Sequence, residues 1–461
     1  MYKELNEYLK SVDGVSHITI DPNGPGVVRI HLIPPKKVKL GVLWVVIING
    51  QDILPLTTGW AILLREFINV ATSYEGKSLS DENINDIIDE AVDNTAKVFP
   101  KTKKTMLKSD LRDIITTFVD IAKNKIPSSN VGYMTLSKYA KYMKAPHRMD
   151  LMVSSMYKNG LWHCNNKCLH CYAGNQKEAT VKELDTASWK IIIDKCRNAC
   201  IPQLTFTGGE PTLRSDLPEL IKYASWFVTR LNTNGILLTR QLCKELVDAS
   251  LDSVQVTLYS SREEIHNMLV GSSTFKKTVE GIKNALAAGL NVSINTPLCK
   301  LNADYIETIK FAENLGIRYF TCSGLIMTGN SLTNEAKDTY LSKNELLEII
   351  TEANKYCKDV CNSKEYDLEM NFTSPGWLNE DSLKALGLTV PSCGACLSNM
   401  AVAPNGDVIP CQSWLNSDSL GNLLNESFNK IWSSRACKKI RKNSSKMEGY
   451  CQLSTLDKGE K

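Results

Sequence analysis

The sequence predicts a mixed α/β protein whose centre is a partial (β/α)6 barrel. Two observations support this prediction. From residue 151 to residue 375, short apolar segments alternate with amphipathic segments of about 10–15 residues, the pattern of βαβ units around a parallel sheet. The flanking regions lack this alternation, and at 461 residues the chain is too long for a single core. We therefore expect a barrel two units short of eight, with a smaller domain on either side.

Residues 1–125 are expected to form an α+β domain. An amphipathic helix opens the chain, with Leu5 and Leu9 among its apolar positions at helical spacing. Strand-like runs follow at 27–33, 43–49 and 52–56, and an Asn-Gly turn at 49–52 joins the last two. Three helical patterns complete the domain: Gly59–Val70, Ser80–Val98 and Lys108–Lys123. Residues 126–150 are predicted to be a linker.

The barrel region contains six strand candidates and five helix candidates. The strands are Leu151–Trp162, Gln203–Thr207, Val228–Asn232, Ser253–Tyr259, Asn291–Thr296 and Tyr319–Leu325. The helices are Thr186–Cys200, Leu217–Trp226, Arg240–Ala249, Thr274–Ala288 and Ala303–Leu315. Because crossovers between parallel strands are right-handed, we expect the carboxyl ends of the strands to meet at one rim, where ligands bind in α/β folds.

Composition narrows the class of protein and of partner. The 54 basic and 50 acidic residues nearly balance, which gives no electrostatic case for nucleic acid or an anionic membrane as the main partner. The longest apolar run, Val42–Ile48, is far shorter than the roughly 20 residues of a membrane span. The polar start "MYKELNEYLK" lacks a signal-peptide core, so we expect a cytoplasmic protein.

Three cysteines follow the first predicted barrel strand within the segment "LWHCNNKCLHCY". Cys164, Cys168 and Cys171 have the spacing C-x-x-x-C-x-x-C, and no fourth cysteine is nearby. Zinc is one interpretation, because His163 or His170 supplies a nitrogen ligand. The other is three corners of an iron–sulfur cube, whose fourth iron is then open to a substrate or cofactor.

This segment resembles the radical S-adenosylmethionine (SAM) superfamily, in which an aromatic residue follows the last cysteine. The resemblance continues through the barrel region in the family's order. It is carried by "TFTGGEP" (205–211), "LNTNG" (231–235), "VQVTLYS" (254–260), "VSINTPL" (292–298) and "SGLIMTG" (323–329). It implies a 4Fe–4S cluster on the three cysteines, with the amine and carboxylate of SAM on the fourth iron. One electron from the cluster then cleaves SAM to methionine and a 5′-deoxyadenosyl radical.

The resemblance also implies further SAM contacts. Gly208 and Gly209 bring backbone close to the SAM amine, an approach that a Cβ atom would obstruct. Glu210 resembles the acid that binds this amine, and Tyr172 is expected beside the adenine. The remaining positions carried over from the family are Ser260 and Asn295 for the ribose and carboxylate side and Ile326 for adenine packing.

Cysteines concentrate again near the C-terminus. Cys393 and Cys396 precede Gly406 and Cys411, and Cys451 follows a predicted helix. The pattern resembles the SPASM/twitch extension of radical SAM enzymes that modify peptides. It implies that residues 376–461 form an iron–sulfur domain in which these four thiols hold at least one auxiliary 4Fe–4S cluster. A structural zinc knuckle is the alternative. The cysteine-rich run for a second auxiliary cluster is missing, and Cys437 is assigned a structural role.

The N-terminal region resembles the winged-helix recognition element of ribosomal-peptide maturases. "VVIINGQDILPLTTGWAILLREFI" (45–68) gives the best match, a hairpin followed by a helix. In that family the leader of a precursor peptide adds as a strand to the sheet edge. A generic helical cap or a dimerisation domain is the alternative.

Together these resemblances imply a radical SAM oxidoreductase that modifies a ribosomally synthesised precursor peptide by oxidative thioether or carbon–carbon cross-linking. A flavodoxin or ferredoxin is the expected electron donor. The alternatives are a peptide epimerase, a sulfatase-maturase-like enzyme or an enzyme acting on a small cofactor precursor. From a different class, a non-catalytic iron–sulfur protein also remains. The sequence identifies neither the precursor nor a general base.

Overall fold

A computed structural model describes most of the chain. The described residues are 2–12, 14–20, 28–35, 42–49, 52–74, 81–122, 127, 132, 134, 143–364, 366–373, 378, 380–388, 390, 393–416, 418–446 and 451–453. Contacts between Cα atoms divide the chain into two compact units. One comprises Met1–Ala145 with Arg197–Pro202, and the other comprises Pro146–Cys196 with Gln203–Lys461.

Among its described residues, the first unit combines a four-stranded antiparallel sheet with four helices. Its strands are β1 (Ser16–Ile20), β2 (Val28–Ile33), β3 (Trp44–Ile48) and β4 (Asp52–Leu56), and they lie side by side in the order in which they occur along the chain. Its helices are α1 (Tyr2–Ser11), α2 (Thr58–Thr72), α3 (Asp81–Val98) and α4 (Lys104–Ala122). Every residue of β2 and β3 is buried, and alternate residues of the two strands, among them Ile30 and Val46, pack with the helices in one hydrophobic core.

The α+β prediction for this unit is confirmed, with one strand more than expected. The sequence "SHITI" forms β1 and pairs antiparallel with β2. Three of its five residues, Ser16, His17 and Thr19, are polar, which masked the strand pattern. The predicted Asn-Gly turn lies partly outside the described residues, since positions 50 and 51 are not described.

A nine-stranded sheet organises the second unit. Its strands are β5 (Arg148–Ser154), β8 (Gln203–Gly208), β9 (Val228–Thr233), β10 (Ser253–Thr257), β11 (Val292–Pro297), β12 (Tyr319–Ser323), β13 (Glu369–Thr373), β14 (Asn399–Val402) and β15 (Val408–Ile409). A separate hairpin consists of β6 (Tyr157–Lys158) and β7 (Leu161–Trp162). The spatial order of the sheet is β13-β12-β11-β10-β9-β8-β5-β14-β15, and every neighbouring pair except β14–β15 is parallel.

Eleven described helices accompany these strands, and five of them lie between barrel strands at the predicted places. They are α5 (Thr186–Asn198), α6 (Leu217–Tyr223), α7 (Arg240–Asp248), α8 (Glu263–Val270), α9 (Phe275–Ala287), α10 (Tyr305–Asn314), α11 (Asn334–Lys337), α12 (Lys343–Ser363), α13 (Glu380–Ala385), α14 (Phe428–Trp432) and α15 (Arg435–Ser444). No described helix combines enough length with enough apolar character to cross a membrane. The six predicted barrel strands lie side by side, as expected, so the fold class is confirmed.

The structure differs from the prediction at three strands. The segment predicted as one strand, Leu151–Trp162, is divided because β5 ends at Ser154 and the chain then forms the β6–β7 hairpin. Asn159 and Gly160 form its two-residue turn, with φ of 53° and 76°, the left-handed values such turns require. The strand β13 extends the sheet at one edge. On the other side, β14 from the C-terminal region pairs parallel with β5, and β15 forms the edge.

Candidate cofactor and substrate cavity

Main-chain hydrogen bonds shape the loop that carries the first three cysteines. This loop follows the β6–β7 hairpin directly. Its Lys167 N–H donates to the Val270 carbonyl at the end of α8, 2.9 Å away, and its Leu169 N–H donates to the Leu269 carbonyl at the same distance. The Asn330 N–H donates to the Cys171 carbonyl, also at 2.9 Å. The loop conformation is therefore held from two sides.

Cys164, Cys168 and Cys171 all line one cavity of about 670 Å³, which we call the central cavity. Burial raises the pKa of Cys164 to about 12, and it also raises the pKa values of Cys168 and Cys171. A buried thiol ionises only when a nearby positive centre compensates its charge. Bound iron supplies such compensation, because the thiolate is the metal-binding form of cysteine.

The two histidines that the sequence offered as zinc ligands have other partners in the structure. The buried His170 ring pairs through Nε2 with the Thr339 hydroxyl at 2.8 Å, and burial lowers its pKa to about 4. His163 lies 4.0 Å from a carboxylate oxygen of Glu183. Within the described part of the chain, no three His, Cys, Asp or Glu side chains form a group that holds a single metal ion. A cubane differs from such a site, since it distributes its cysteines over separate irons.

Gly208 and Gly209 allow the end of β8 to approach β5. The φ angle of Gly208 is +135°, and a Cβ atom there would lie 2.2 Å from the Ser154 carbonyl oxygen. A Cβ atom on Gly209 would lie 2.8 Å from the Ser155 carbonyl oxygen. Backbone packing thus requires glycine at Gly208, in addition to the approach to SAM that the sequence predicts.

Glu210 is buried at the rim of the central cavity and its carboxylate is held by hydrogen bonds. It accepts from the Thr212 N–H at 3.0 Å and from the Thr233 hydroxyl at 2.7 Å through Oε1. Its Oε2 accepts from the Asn234 N–H at 2.9 Å. Burial raises the pKa of Glu210, while these donors lower it. The carboxylate is therefore oriented before any ligand arrives.

Of the four other residues predicted to contact SAM, the structure places three at the central cavity. Tyr172, Asn295 and Ile326 line the central cavity. Ser260 is buried but is not among the residues that line it, and its hydroxyl accepts a hydrogen bond from the Arg262 N–H at 3.1 Å.

Three of the four C-terminal cysteines also line the central cavity. These are Cys393, Cys411 and Cys451. Cys396 is fully buried with a φ of +52°, is absent from the lining, and its thiol hydrogen-bonds to that of Cys437. Cys437, expected to be a structural residue, therefore contacts a predicted cluster ligand.

Arginine stabilises this buried thiol pair. The Arg441 guanidinium donates to Cys437 Sγ at 3.2 Å and to the Cys396 carbonyl at 2.9 Å. It also lies over the Trp432 ring, 3.4 Å from its centroid. Arg441 thus links the thiol of Cys437, the backbone of Cys396 and the ring of Trp432.

Sequence reasoning missed the polar interior of the barrel. Polar residues on successive strands, among them Thr205, Arg230, Asn232 and Gln255, line the central cavity. The signal was present in the sequence: alternate residues of β8, β9 and β10 are polar, whereas strands buried on both faces are continuously apolar. Such alternation marks a sheet face that lines a cavity.

Comparison with known proteins agrees with this geometry. Residues 163–312 match the model of the Radical SAM superfamily, and residues 393–453 match that of the SPASM iron–sulfur cluster-binding domain. This chain carries a radical SAM domain followed by a SPASM domain. These domains bind a 4Fe–4S cluster with SAM and an auxiliary iron–sulfur cluster, respectively.

Relatives of this chain are named for different activities. It is 33% identical over 172 residues to an AdoMet-dependent heme synthase of Oleidesulfovibrio alaskensis, covering 36% of this chain and 44% of that protein. It is 27% identical over 256 residues to the PqqA peptide cyclase of Bradyrhizobium diazoefficiens, covering 54% and 64%. The alignments thus span less than two thirds of each relative's length.

A solved structure shares the fold over nearly the whole radical SAM chain. Streptococcus suis SuiB, bound to its precursor peptide SuiA, aligns with a TM-score of 0.58 and 16% identity, covering 90% of this chain and 93% of that chain. At this identity the similarity establishes the fold.

The residues present fit the groups that these domains bind. Three thiols of one loop face the central cavity beside an oriented carboxylate, and three C-terminal thiols face the same cavity. Sulfur ligands of this kind suit iron–sulfur clusters.

Proposed function

We propose that this protein is a peptide maturase that modifies a ribosomally synthesised precursor peptide. The observation that carries the proposal is that cysteines from both domains line one central cavity. A substrate group inside it lies within reach of both clusters. When bound, the first cluster and SAM together supply a 5′-deoxyadenosyl radical, which abstracts hydrogen from an unactivated carbon.

In this proposal Cys164, Cys168 and Cys171 hold the first cluster and leave one iron for SAM. The Glu210 carboxylate accepts a hydrogen bond from the SAM amine, having been oriented by Thr212, Thr233 and Asn234. Tyr172, Asn295 and Ile326 contact the rest of SAM from the cavity wall. These residues bind and orient SAM before the reaction, which lowers the cost of reaching a productive geometry.

The C-terminal thiols support oxidative cross-linking as the reaction. Cys393, Cys411 and Cys451 would hold the auxiliary cluster in the cavity wall, with Cys396 as the fourth ligand if its thiol turns away from Cys437. Forming a thioether or carbon–carbon bond removes two hydrogens from the peptide. The radical would take one hydrogen atom, a proton would leave, and an auxiliary cluster held by these thiols would supply an acceptor for the remaining electron.

We further propose that the N-terminal region, through residue 125, binds the leader of the precursor by adding it as a strand. The edge strand β4 already accepts backbone from outside the sheet. The Met134 N–H donates to the Ile53 carbonyl at 2.9 Å. An extended leader uses the same kind of main-chain bond.

The experiment is co-expression with a short peptide encoded beside the gene, followed by mass spectrometry of that peptide. Loss of two hydrogens supports cross-linking. An unchanged mass with deuterium uptake from heavy water means epimerisation instead. If the anaerobically reconstituted protein with all its cysteines intact does not cleave SAM, the radical assignment itself is wrong.

Tetrapyrrole modification is a second candidate, favoured by one observation. The relative with 33% identity is a heme synthase, whereas the peptide cyclase is 27% identical. Incubation with coproporphyrin III and with iron coproporphyrin III, analysed for mass loss, separates the two candidates.

A further inference from the structure

Arg230 is a half-buried cation that faces the central cavity without a partner of opposite charge. It is the third residue of β9, and its Nε donates a hydrogen bond to the Ser253 hydroxyl at 3.4 Å. Within the described residues it forms no ion pair at 4.0 Å or less. Burial lowers the pKa of Arg230 to about 10; Arg148 lowers it further, and Asp150, which is paired with Arg148, partly opposes this shift. Burying an unpaired charge is costly, so an anion at this point would be strongly favoured.

The nearest carboxylate in the same row of the sheet, that of Asp150, is already paired with another arginine. Strand register places Asp150 opposite Thr205, and Thr205 opposite Arg230. Asp150 is buried and pairs with Arg148, with 2.8 Å between Nε and Oδ1. Two arginines and one aspartate therefore leave one positive charge uncompensated in this part of the cavity.

Neighbouring polar atoms also lack partners. Thr205 Oγ1, Asn232 Oδ1 and Gln412 Oε1 are buried, line the central cavity and have no hydrogen-bond partner in the described structure. Buried polar atoms are nearly always paired, so these mark the place of a polar ligand group. A cation with unsatisfied polar neighbours is a suitable site for an oxyanion.

The site lies away from the positions expected to bind SAM. Arg230 precedes the end of β9 at Thr233 by three residues, and Thr233 is the residue that bonds to Glu210. At about 3.3 Å per residue, Arg230 lies about 10 Å further into the barrel than that rim. A group bound there is beyond SAM, in the part of the cavity left to the substrate.

We propose that Arg230 binds a side-chain carboxylate of the substrate, an Asp or Glu in the modified segment of the precursor peptide. A guanidinium forms two parallel hydrogen bonds to a carboxylate, which fixes the orientation of the side chain as well as its position. This inference rests on the proposed peptide function.

Cavity size favours a peptide side chain over a tetrapyrrole as the source of the carboxylate. The central cavity, about 670 Å³, is within the range of about 300–1,000 Å³ typical of a site for one small ligand. SAM takes part of that space. The two clusters take a further part. A single side chain needs less of the remaining space than the macrocycle of a tetrapyrrole, and the rest of a peptide can stay outside.

The test uses the full chain, anaerobically reconstituted and loaded with SAM. The probes are N-acetyl-glutamate amide and its neutral match, N-acetyl-glutamine amide, with affinities measured by ligand-observed NMR. We expect the acid to bind at least about tenfold more tightly, the effect of one charge-assisted hydrogen-bond pair. Arg230→Met should abolish the difference, and Arg230→Lys should retain part of it. Arg240→Met, at the exposed start of α7, is the control that should change nothing.

Iron content and SAM affinity of Arg230→Met should equal those of the unchanged protein. Equal binding of the two probes, or a preference that survives Arg230→Met, would overturn the proposal. So would a loss of SAM affinity in Arg230→Met without any preference between probes, since Arg230 would then bind SAM itself.

Two further outcomes separate this inference from the proposed function. If a precursor peptide is modified equally well by the unchanged protein and by Arg230→Met, the inference is wrong while the peptide function stands. If coproporphyrin III binds in an Arg230-dependent manner and the glutamate probe does not, the inference is wrong and so is the peptide function. Arg230-dependent binding of the glutamate probe without any peptide modification retains the carboxylate site and rejects the peptide function.

Discussion

The two groups of cysteines reach the same central cavity by different routes. Those at 164–171 lie in one short loop, and all three line the cavity. Those at 393–451 come from distant segments, and one of the four, Cys396, is hydrogen-bonded to Cys437 instead. In the first group the short sequence spacing keeps the three thiols in one loop. In the second, tertiary structure decides which thiols meet.

The backbone explains this difference. The first loop is held by main-chain hydrogen bonds to the end of α8 and to Asn330, so its shape depends on few contacts. The second group depends on the pairing of β14 with β5, which places the C-terminal segment at an edge of the barrel sheet. It also depends on Cys451, which follows α15. We therefore expect losses in the first group to be complete and those in the second to be graded.

The largest effect is expected from Cys168→Ala. Removing one of three ligands should abolish the first cluster, so production of 5′-deoxyadenosine should fall to background. Iron per chain should decrease by one cluster, because the C-terminal cysteines are unchanged. Iron analysis and an anaerobic SAM-cleavage assay measure both quantities.

Cys243→Ala, on α7 and away from the cavity lining, is the matched control and should keep full iron and activity. Retention of SAM cleavage by Cys168→Ala would contradict the assignment of the first cluster.

Gly208→Ala should have the next largest effect, because the first site needs β8 close to β5. The new Cβ atom would lie 2.2 Å from the Ser154 carbonyl oxygen, at a φ of +135°. We expect a loss of about 3 kcal/mol or more in the free energy of unfolding, together with weaker SAM binding. Anaerobic denaturant titration measures the stability.

Gly289→Ala is the control that separates the effect of the steric clash from the effect of the positive φ angle. Gly289 also has a positive φ, +83°, but no atom lies within 4 Å of the position of its Cβ. It should cost only about 1 kcal/mol. Equal losses in the two variants would mean that close packing of β5 and β8 is unimportant.

The sequence predicted most of the fold because its strongest signals are local. The six barrel strands and the helices between them follow from periodicity and turn residues. The strands β13 and β14 were missed for a physical reason: both are short, and each pairs with a barrel strand that is remote in sequence. No local pattern states that residues 399–402 pair with residues 148–151.

The site divides in the same way. The three-cysteine loop, Gly208 and Glu210 belong to contiguous motifs, and each lines the central cavity. The sequence could not show whether Ser260 and Arg230 face the cavity. The direction of a side chain in or beside a strand depends on the geometry of the sheet. Ser260 lies outside the lining, whereas Arg230, which no motif marks, lies within it.

A more limited effect is expected from Cys451→Ala. Cys451 lines the central cavity together with Cys393 and Cys411, so its loss should remove the auxiliary cluster and leave the first cluster intact. Iron should decrease by one cluster while SAM is still cleaved, and peptide modification should stop. Iron analysis, 5′-deoxyadenosine yield and peptide mass together test this. Full peptide modification without the auxiliary cluster would show that oxidation does not pass through it.

The smallest effects are expected from the buried thiol pair. Because the Cys396 thiol is directed to Cys437, Cys396→Ala should lose less iron than Cys451→Ala. Cys437→Ala should keep its iron and lose about 1–2 kcal/mol of stability, since a buried side chain that accepts from Arg441 is truncated. Iron analysis and denaturant titration on all three variants give the comparison. Equal iron loss in Cys396→Ala and Cys451→Ala would make Cys396 a ligand, as its sequence spacing predicts. Iron loss in Cys437→Ala as well would extend the ligand set to α15 and remove the contrast between the two regions.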